Sequence, residues 1–539
     1  MSKSKIVGII LTTVIACSAF ASGRPQAAPT GSASGFNASG MPIFNQPVEL
    51  HVLTMRWGDM GDSFVQNAWL RELERRTNVR IRWQTVSNNG WDEQRSLLLA
   101  SGRLPDIILG SETFRDVDIM NNLEYFRPLD TLIDQYMPNY KRALIEYPAF
   151  RQVTTYPDGR MYSLANNLPK RPATRNHWIL NKTWLDKLGL AIPNTLDEYT
   201  NVLRQFKAQD ANGNGNTNDE FPLAFYNDGN PRGSGVVMDI FNPFGITDIY
   251  GSGMSIGKDG RPFPIYTSEN YKAGVRWLRT LWQEGLIDPE SFTQNWSMVT
   301  GKRMNAAAPL VGAHFAWTPD SDFGQWSSQY VAIPPLVGPD GGRYVSGDPD
   351  GIFAIARNQA LITTFCQYPE AAARWLDEFY TNEASIQNFW GAIGTVIRAN
   401  SNGTYSLNDP PAGTSADAWY WDQSLRDFGP KYVQAGFNDF IILSPTSGDG
   451  FKWEISRASD PYVVKPFPRV IFTQRESDEI ESLSYDIDVY IAQTMVKWIT
   501  QGGIDAEWDA YIARLNQMGF QRILQLRMDA YNRYTNPRR

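Results

Sequence analysis

The sequence predicts an α/β protein of two or more lobes built on doubly wound sheets, and two observations carry this. The chain has 539 residues, too many for one hydrophobic core, since single cores stop growing at about 250–300 residues. Beyond residue 48 its hydrophobic pattern switches between the period of strands and that of helices, the order expected of a parallel sheet covered by helices. Hydrophobic residues make up 42%, ordinary for a soluble globular chain.

The elements follow in order. VELHVLTM (Val48 to Met55) alternates apolar and polar residues as a strand does. SFVQNAWLRELERRTN then carries Val65, Ala68, Trp69 and Leu73 at helical spacing, and VRIRWQTV sets Val79, Ile81 and Trp83 on one face of a second strand. WDEQRSLLLASG reads as a second helix and DIILG (Asp106 to Gly110) as a short buried strand. In an open sheet of this kind ligands bind beyond the carboxyl ends of the strands, which points to Arg56, Trp57 and Gly58 after the first strand and Ser111 and Glu112 after the third. Further on, Thr195 and Glu198 form a capping box for a helix lined by Leu196, Tyr199, Val202, Leu203 and Phe206. Later helices are expected over Tyr271–Gly285, Pro369–Tyr380, Ser484–Ile499 and Ala506–Met518. GPDGG (Gly338 to Gly342) and Asn400–Ser415 are turn-rich, and either could link lobes.

The chain opens MSKSKIVGIILTTVIACSAFASG, a basic start followed by an apolar stretch (Ile6 to Ala16) too short to span a bilayer, which reads as a secretion signal. Two cleavage patterns compete. Val14-Ile15-Ala16-Cys17 is similar to a lipobox, in which Cys17 would be lipidated, and Ala19-Phe20-Ala21 is an A-x-A pattern. Ser18–Pro47 is rich in Ser, Ala, Gly and Pro, as a tether would be, which favours the lipidated form. Either way the protein is expected outside the cytoplasmic membrane. The remaining cysteine, Cys366, then has no partner for an intramolecular disulfide.

A balance of 50 Lys and Arg against 57 Asp and Glu offers no basic face for nucleic acid. His51, His177 and His314 are far apart in sequence, which argues against a histidine-rich metal site or triad.

DANGNGNTNDEFP (Asp210 to Pro222) places Asp210, Asn212 and Asn214 at positions one, three and five of a loop with Gly215 at six, as a calcium loop does; Asn216 would offer its carbonyl. The bidentate acid of an EF-hand is missing, since position twelve is Phe221. A loop closed by Asx turns alone has the same composition.

SLLLASGRLPDIILG resembles a signature of the extracellular solute-binding proteins of ABC importers, and the resemblance continues through YPDGRMYSL, NKTWLDKLGLAIPNTLDEY, EGLIDPESF, PEAAARWLDEFY and GGIDAEWDAYIARLNQMG. It is nearest to large lipoprotein-type members that bind oligosaccharides. It implies a two-lobe periplasmic-binding-protein-like fold of type II, a ligand cleft between the lobes, a membrane permease as partner and a monomeric chain. The implied division is 1–17 signal, 18–47 linker, 48–165 first lobe, 166–335 second lobe with the calcium loop, 336–399 return to the first lobe, and 400–539 mainly second lobe. Several members of the family carry a calcium loop of the form D-x-N-G-N-G-x-x-D-E-x-P in this place. Here the acidic pair Asp219 and Glu220 falls one residue late, so Asn218 could take part instead of Asp219. The implied ion is a structural Ca2+.

Sugar rings stack apolar C–H faces on aromatic planes, and aromatic residues are 13% of this chain. Most must be core: Trp184, Trp277, Trp375, Trp498 and Trp508 sit on apolar helix faces. Trp57 at a strand end and Trp317, which closes AHFAWT where related proteins place a stacking Trp, are the ligand candidates; Trp296 and the Trp419-Tyr420-Trp421 cluster are further ones. Lys170, Arg171 and Arg175 could receive a carboxylate if the sugar is acidic. A carbohydrate-active enzyme is the rival reading, yet pairs such as Asp116 and Asp118 have no spacing that fixes a hydrolase pair. A sensor subunit, or a binder of peptide or lipid, is a further alternative within the family.

Overall fold

The computed structural model describes residues 35–535 apart from 57–60, 89, 111–112, 169–171, 227–237, 349–354, 413, 415, 435–439 and 444–447. The elements that frame the site are β1 (Val48–Arg56), α1 (Ala68–Thr77), β2 (Val79–Ser87), α2 (Trp91–Ala100), β3 (Ile107–Leu109), β4 (Leu164–Asn167), β5 (His177–Asn181), α3 (Leu196–Ala208), β6 (Phe221–Leu223), α4 (Glu269–Gln283), α5 (Trp296–Arg303), β7 (Val311–Ala316), α6 (Pro319–Phe323), β8 (Tyr330–Ala332) and β9 (Ile355–Ile362). They are followed by α7 (Ala416–Asp422), α8 (Gly448–Ser456), α9 (Gln474–Gln501), α10 (Ile504–Gln517) and α11 (Phe520–Thr535).

Two separate sheets organise these elements. One runs β2-β1-β3-β9-β4 and the other β8-β5-β7-β6. In the first, β1 lies parallel to β2 and β3, with Val48 opposite Val79 and Val52 opposite Ile107. The strand expected to continue a parallel sheet does not: β9 alone is reversed, antiparallel to β3 on one side and to β4 on the other, with Ala360 facing Leu109 and Leu164. β9 therefore presents its beginning, not its end, at the edge where β1 and β3 finish. A bulge between Ala356 and Ala360 bends it there, and Asn358 within it holds φ at 58°, an αL conformation that Asn tolerates better than most residues.

Each sheet has its own core. The first is packed by Phe64, Trp69, Tyr140, Trp375, Phe379 and Tyr380, the second by Trp184, Phe206, Tyr271, Trp498, Trp508 and Phe520. Trp375 and Trp498 are fully buried; truncating a tryptophan in such a position costs about 3–5 kcal/mol. The chain passes between the sheets after β4, again between β8 and β9, and again between Val433, bonded to Asn167 of β4, and α8, which packs on β5. The first two passages pair with each other, Thr174 opposite Gly347, with Arg175 N donating to Ser346 O (3.1 Å) and Asp348 N to Ala173 O (2.8 Å). Paired crossing segments form a hinge between two lobes.

Gly338–Gly342, on the passage between β8 and β9, is a tight turn closed by Gly338 N on Gly342 O (2.8 Å), and Asn400 N to Thr404 O (2.8 Å) closes a hairpin. The capping box at α3 is present, with Glu198 N donating to Thr195 Oγ1 (3.1 Å) and Thr195 N to Glu198 Oε2 (3.2 Å). The helix expected from Ser484 begins at Gln474 under a second capping box, Thr473 with Glu476. α11 packs Phe520, Ile523 and Ala530 into the second core, a helix the pattern past Met518 also carries.

Candidate functional site

The carboxyl ends of β1 and β3 and the start of β9 share one edge of the first sheet. Trp57, Gly58, Ser111, Glu112, Lys170 and Arg171 lie outside the described residues, as does Cys17. What stands beside them is polar and cross-braced. Arg357 of β9 pairs with Asp116, and Asn358 Nδ2 donates to the same carboxylate (2.7 Å) while its Oδ1 accepts from Tyr156 OH (2.9 Å). Burial, with Asp116 adding to it, pushes the Tyr156 phenol well above its usual range, so it stays a neutral donor. The neighbouring Asp118 pairs with Arg95 (3.0 Å) and Arg115 (3.1 Å). The Asp116 and Asp118 side chains are thus each held by cations. Gly110 ends β3 at φ 96°, and a Cβ there would press on Thr113 and Phe428, so the backbone at this edge approaches its neighbours as only glycine allows.

The facing edge belongs to the second sheet. β7 ends at Ala316, and Trp317 follows it, half-buried. Lys452 of α8 donates to the carbonyls of Trp317 (3.0 Å) and Arg175 (2.6 Å), with its Nζ 4.0 Å from the centre of the Trp317 ring. Arg175 donates to Ile249 O (2.8 Å), and Asn176 Nδ2 to Asp239 Oδ2 (2.7 Å). Burial pushes the Asp239 carboxyl up to about 6, against the pull of Asn176, Arg175, Ser346 and Lys452. His177 Nε2 meets Ser456 Oγ (3.0 Å); burial and Lys452 lower its pKa well below the usual value, so it is neutral. Lys452, Arg357, Asn358 and Asp239 were not singled out from sequence. Each joins the site through contacts distant along the chain, and no local pattern marks them.

The other aromatic candidates separate. Trp296 is the first residue of α5, not a loop residue, and is 47% exposed. Trp419 also sits on a helix, α7, half-buried against Tyr420 with ring centres 5.3 Å apart. Trp421 packs beneath Arg426, whose guanidinium lies 5.1 Å from its ring centre. Of the tryptophans assigned to the core, Trp184, Trp375, Trp498 and Trp508 are buried, and Trp277 is partly buried against the second core.

The Asp210 loop winds on itself. Asp210 accepts from the N–H groups of Gly213 (2.8 Å), Asn214 (3.1 Å) and Gly215 (3.0 Å), and Asn212 and Asn214 accept in turn from Asn214 N (2.9 Å) and Asn216 N (2.8 Å). The amides of Asn212 and Asn214 both reach Asp219, at 3.0 and 2.5 Å, and Glu220 accepts from Asn212 N (3.4 Å). Asp219, not Asn218, thus turns inward, which absorbs the extra residue. Among the described residues no group of three or more His, Cys, Asp and Glu is gathered for a metal. The loop nevertheless carries mostly Asx oxygens, a ligand type that suits a hard cation. Glu220 is buried with Oε2 lacking a partner, an orphan acceptor that such a cation would satisfy. Burial raises the Glu220 pKa; at Asp210 burial acts the same way but is outweighed by the three backbone donors and Lys187, which hold that carboxyl low.

Comparison with known proteins agrees with this architecture. Residues 57–386 match the model of the bacterial extracellular solute-binding protein family. The chain is 33% identical over 482 residues to the fructooligosaccharide ABC transporter substrate-binding protein FusA of Streptococcus pneumoniae, covering 86% of each chain. Solved structures of FusA superpose on it, one with kestose (TM-score 0.80, 29% identity, 91% of this chain and 100% of that one) and one of an EF-hand mutant with fructo-nystose (TM-score 0.79, 29% identity, the same coverage). A solute-binding protein of Bifidobacterium longum infantis described as binding HMO matches with TM-score 0.77 at 26% identity, over 91% of this chain and 99% of that one. The protein is a bacterial extracellular solute-binding protein of the two-lobe, periplasmic-binding-protein-like kind.

Proposed function

We propose that the protein captures an oligosaccharide between its lobes and delivers it to a membrane permease of an ABC importer. The observation that carries this is the match to FusA along 86% of both chains, which makes a fructooligosaccharide the first candidate ligand. The site chemistry supports a neutral sugar. The described cations at the cleft edges are engaged by protein groups, Arg357 by Asp116, Lys452 and Arg175 by carbonyls, while neutral donors and acceptors such as Asn358, Asn176 and Tyr156 suit hydroxyls. Trp317 and Trp57 supply the main stacking surfaces from opposite lobes, with Glu112, Trp296 and Trp419 around them. A hydrolase is disfavoured because Asp116 and Asp118 are each tied to arginine.

Around this core function we place a monomer anchored outside the cytoplasmic membrane through Cys17, with 18–47 as tether. Residues 48–165 and 336–399 form one lobe, and 166–335 with most of 400–539 the other. Asp210, Asn212, Asn214, Asn216, Asp219 and Glu220 would hold a Ca2+ whose role is to cross-link the loop between α3 and β6, away from ligand. Isothermal titration of the purified protein with kestose, fructo-nystose, laminaribiose and an acidic oligogalacturonide tests the reading. Saturable binding of a fructan without turnover supports it; binding of the acidic chain alone, or cleavage of a bound sugar, overturns it.

A further inference from the structure

We infer that Trp296, oriented by Arg303, is a second stacking surface that contacts only the longer members of the ligand class. This rests on the fructooligosaccharide reading above. β6 and β7 are parallel neighbours, and α5 leads back into the start of β7, so Trp296 at the head of α5 stands at the edge where both strands end. Tyr226, just past the end of β6, meets the Trp296 ring edge-on, with centres 5.5 Å apart at 76°. The Arg303 guanidinium lies 4.5 Å from the centre of the same ring.

Arg303 is fully buried, yet its position is unusual for a residue that only packs a helix. It pairs with Asp322, donates through Nη2 to Thr300 Oγ1 (2.9 Å), and leaves Nε without a hydrogen-bond partner. A buried ion pair seldom stabilises more than apolar residues of similar volume would. What a planar cation against an indole does supply is a fixed ring tilt. Asp322 belongs to α6, whose Thr318 cap directly follows Trp317. One guanidinium therefore braces Trp296 and, through Asp322, the helix that starts beside Trp317. Trp296 keeps 47% of its surface exposed, as does Met298; an apolar ring held rigidly and left half open is suited to stacking. A sugar chain lying along this edge from Trp317 meets Trp296 only if it is long enough.

The test is titration calorimetry with kestose and the longer fructo-nystose on wild type, Trp296→Ala, Arg303→Lys and the double variant, each with a melting curve. Trp296→Ala should weaken fructo-nystose by about tenfold or more and kestose by less than about twofold. Arg303→Lys, which keeps the charge opposite Asp322, should weaken fructo-nystose several-fold in wild type and not at all further in the Trp296→Ala background. Equal losses for both sugars, or none, overturn length reading alone. An Arg303→Lys loss that persists without Trp296 shows a merely structural arginine and overturns the positioning role. If wild type binds neither fructan, the inference falls together with the fructan assignment.

Discussion

The Lys452 ammonium and the Trp317 indole are locked together, with Nζ 4.0 Å from the ring centre and 3.0 Å from the residue's own carbonyl oxygen. The same Nζ binds Arg175 O (2.6 Å), so a single buried cation ties the end of β7 to the hinge segment ahead of β5. The two residues should respond differently to substitution. Trp317→Ala removes a stacking surface and should cost about 2 kcal/mol of binding, roughly thirtyfold in Kd, with little change in Tm. Lys452→Met strands two carbonyls that it now satisfies and should lower stability by about 1–3 kcal/mol as well as weakening ligand. Calorimetry paired with melting curves separates the two; a Trp317→Ala protein that binds as wild type does would make the ring a packing residue.

Trp57→Ala is expected to match Trp317→Ala in size, about thirtyfold, because a ligand that closes two lobes must be gripped from both. Scattering measurements should show wild type becoming more compact with sugar. The Trp57→Ala protein should need correspondingly more sugar for the same compaction, and an unshifted titration would remove Trp57 from the cleft.

How much of this was legible along the chain depends on the range of the interactions. The cap at Thr195 with Glu198 and the bonds from loop N–H groups to the Asx oxygens of Asp210 to Asn214 are local, and such contacts leave a trace in the sequence. Thr473 with Glu476 was equally local, but the polar turns that follow it hid the first part of α9. The antiparallel entry of β9 was not readable, because the hydrophobic pattern of a buried strand has no direction. For the same reason Arg357, Asn358 and Lys452 carried no signal: their partners Asp116, Tyr156 and Trp317 are set by the fold.

The calcium loop makes a stability prediction with a definite pH dependence. Chelator should lower Tm and added Ca2+ restore it by mass action, and Asp210→Ala should abolish that response with sugar binding kept. Glu220 is raised above its ordinary value by burial, so without metal its ionisation destabilises the fold as pH rises through that raised pKa. The rise in Tm on adding Ca2+ should therefore shrink as pH falls toward the acid range, where Glu220 holds a proton. A melting curve indifferent to chelator at every pH would reduce the loop to a set of Asx turns.

Cys17→Ser should move the protein from the membrane to the soluble fraction when it is expressed with its own leader. Among the described residues no helix is long and apolar enough to cross a membrane. An unchanged distribution would favour cleavage after Ala21.

Asp239 gives the hinge a titration of its own. The carboxyl is buried, accepts from Asn176 on the crossing segment, and faces Arg175, Lys452 and Ser346, and burial still pushes it up to about 6 from an ordinary 3.8. A folded-state pKa above the unfolded value means that the group favours folding fully below about pH 3.8 and that this contribution is lost as pH rises through about 6. At neutral pH the ionised form is held at a cost of about 3 kcal/mol. Asp239→Asn keeps an acceptor for Asn176 and cannot ionise, so its stability relative to wild type should improve by about that amount between pH 4 and pH 7. The measurement is the difference between the two proteins' stabilities across that range, in which every other titrating group cancels. A difference that stays flat would mean that Asp239 keeps the same protonation folded and unfolded, and that the contacts of Arg175 and Lys452 outweigh its burial.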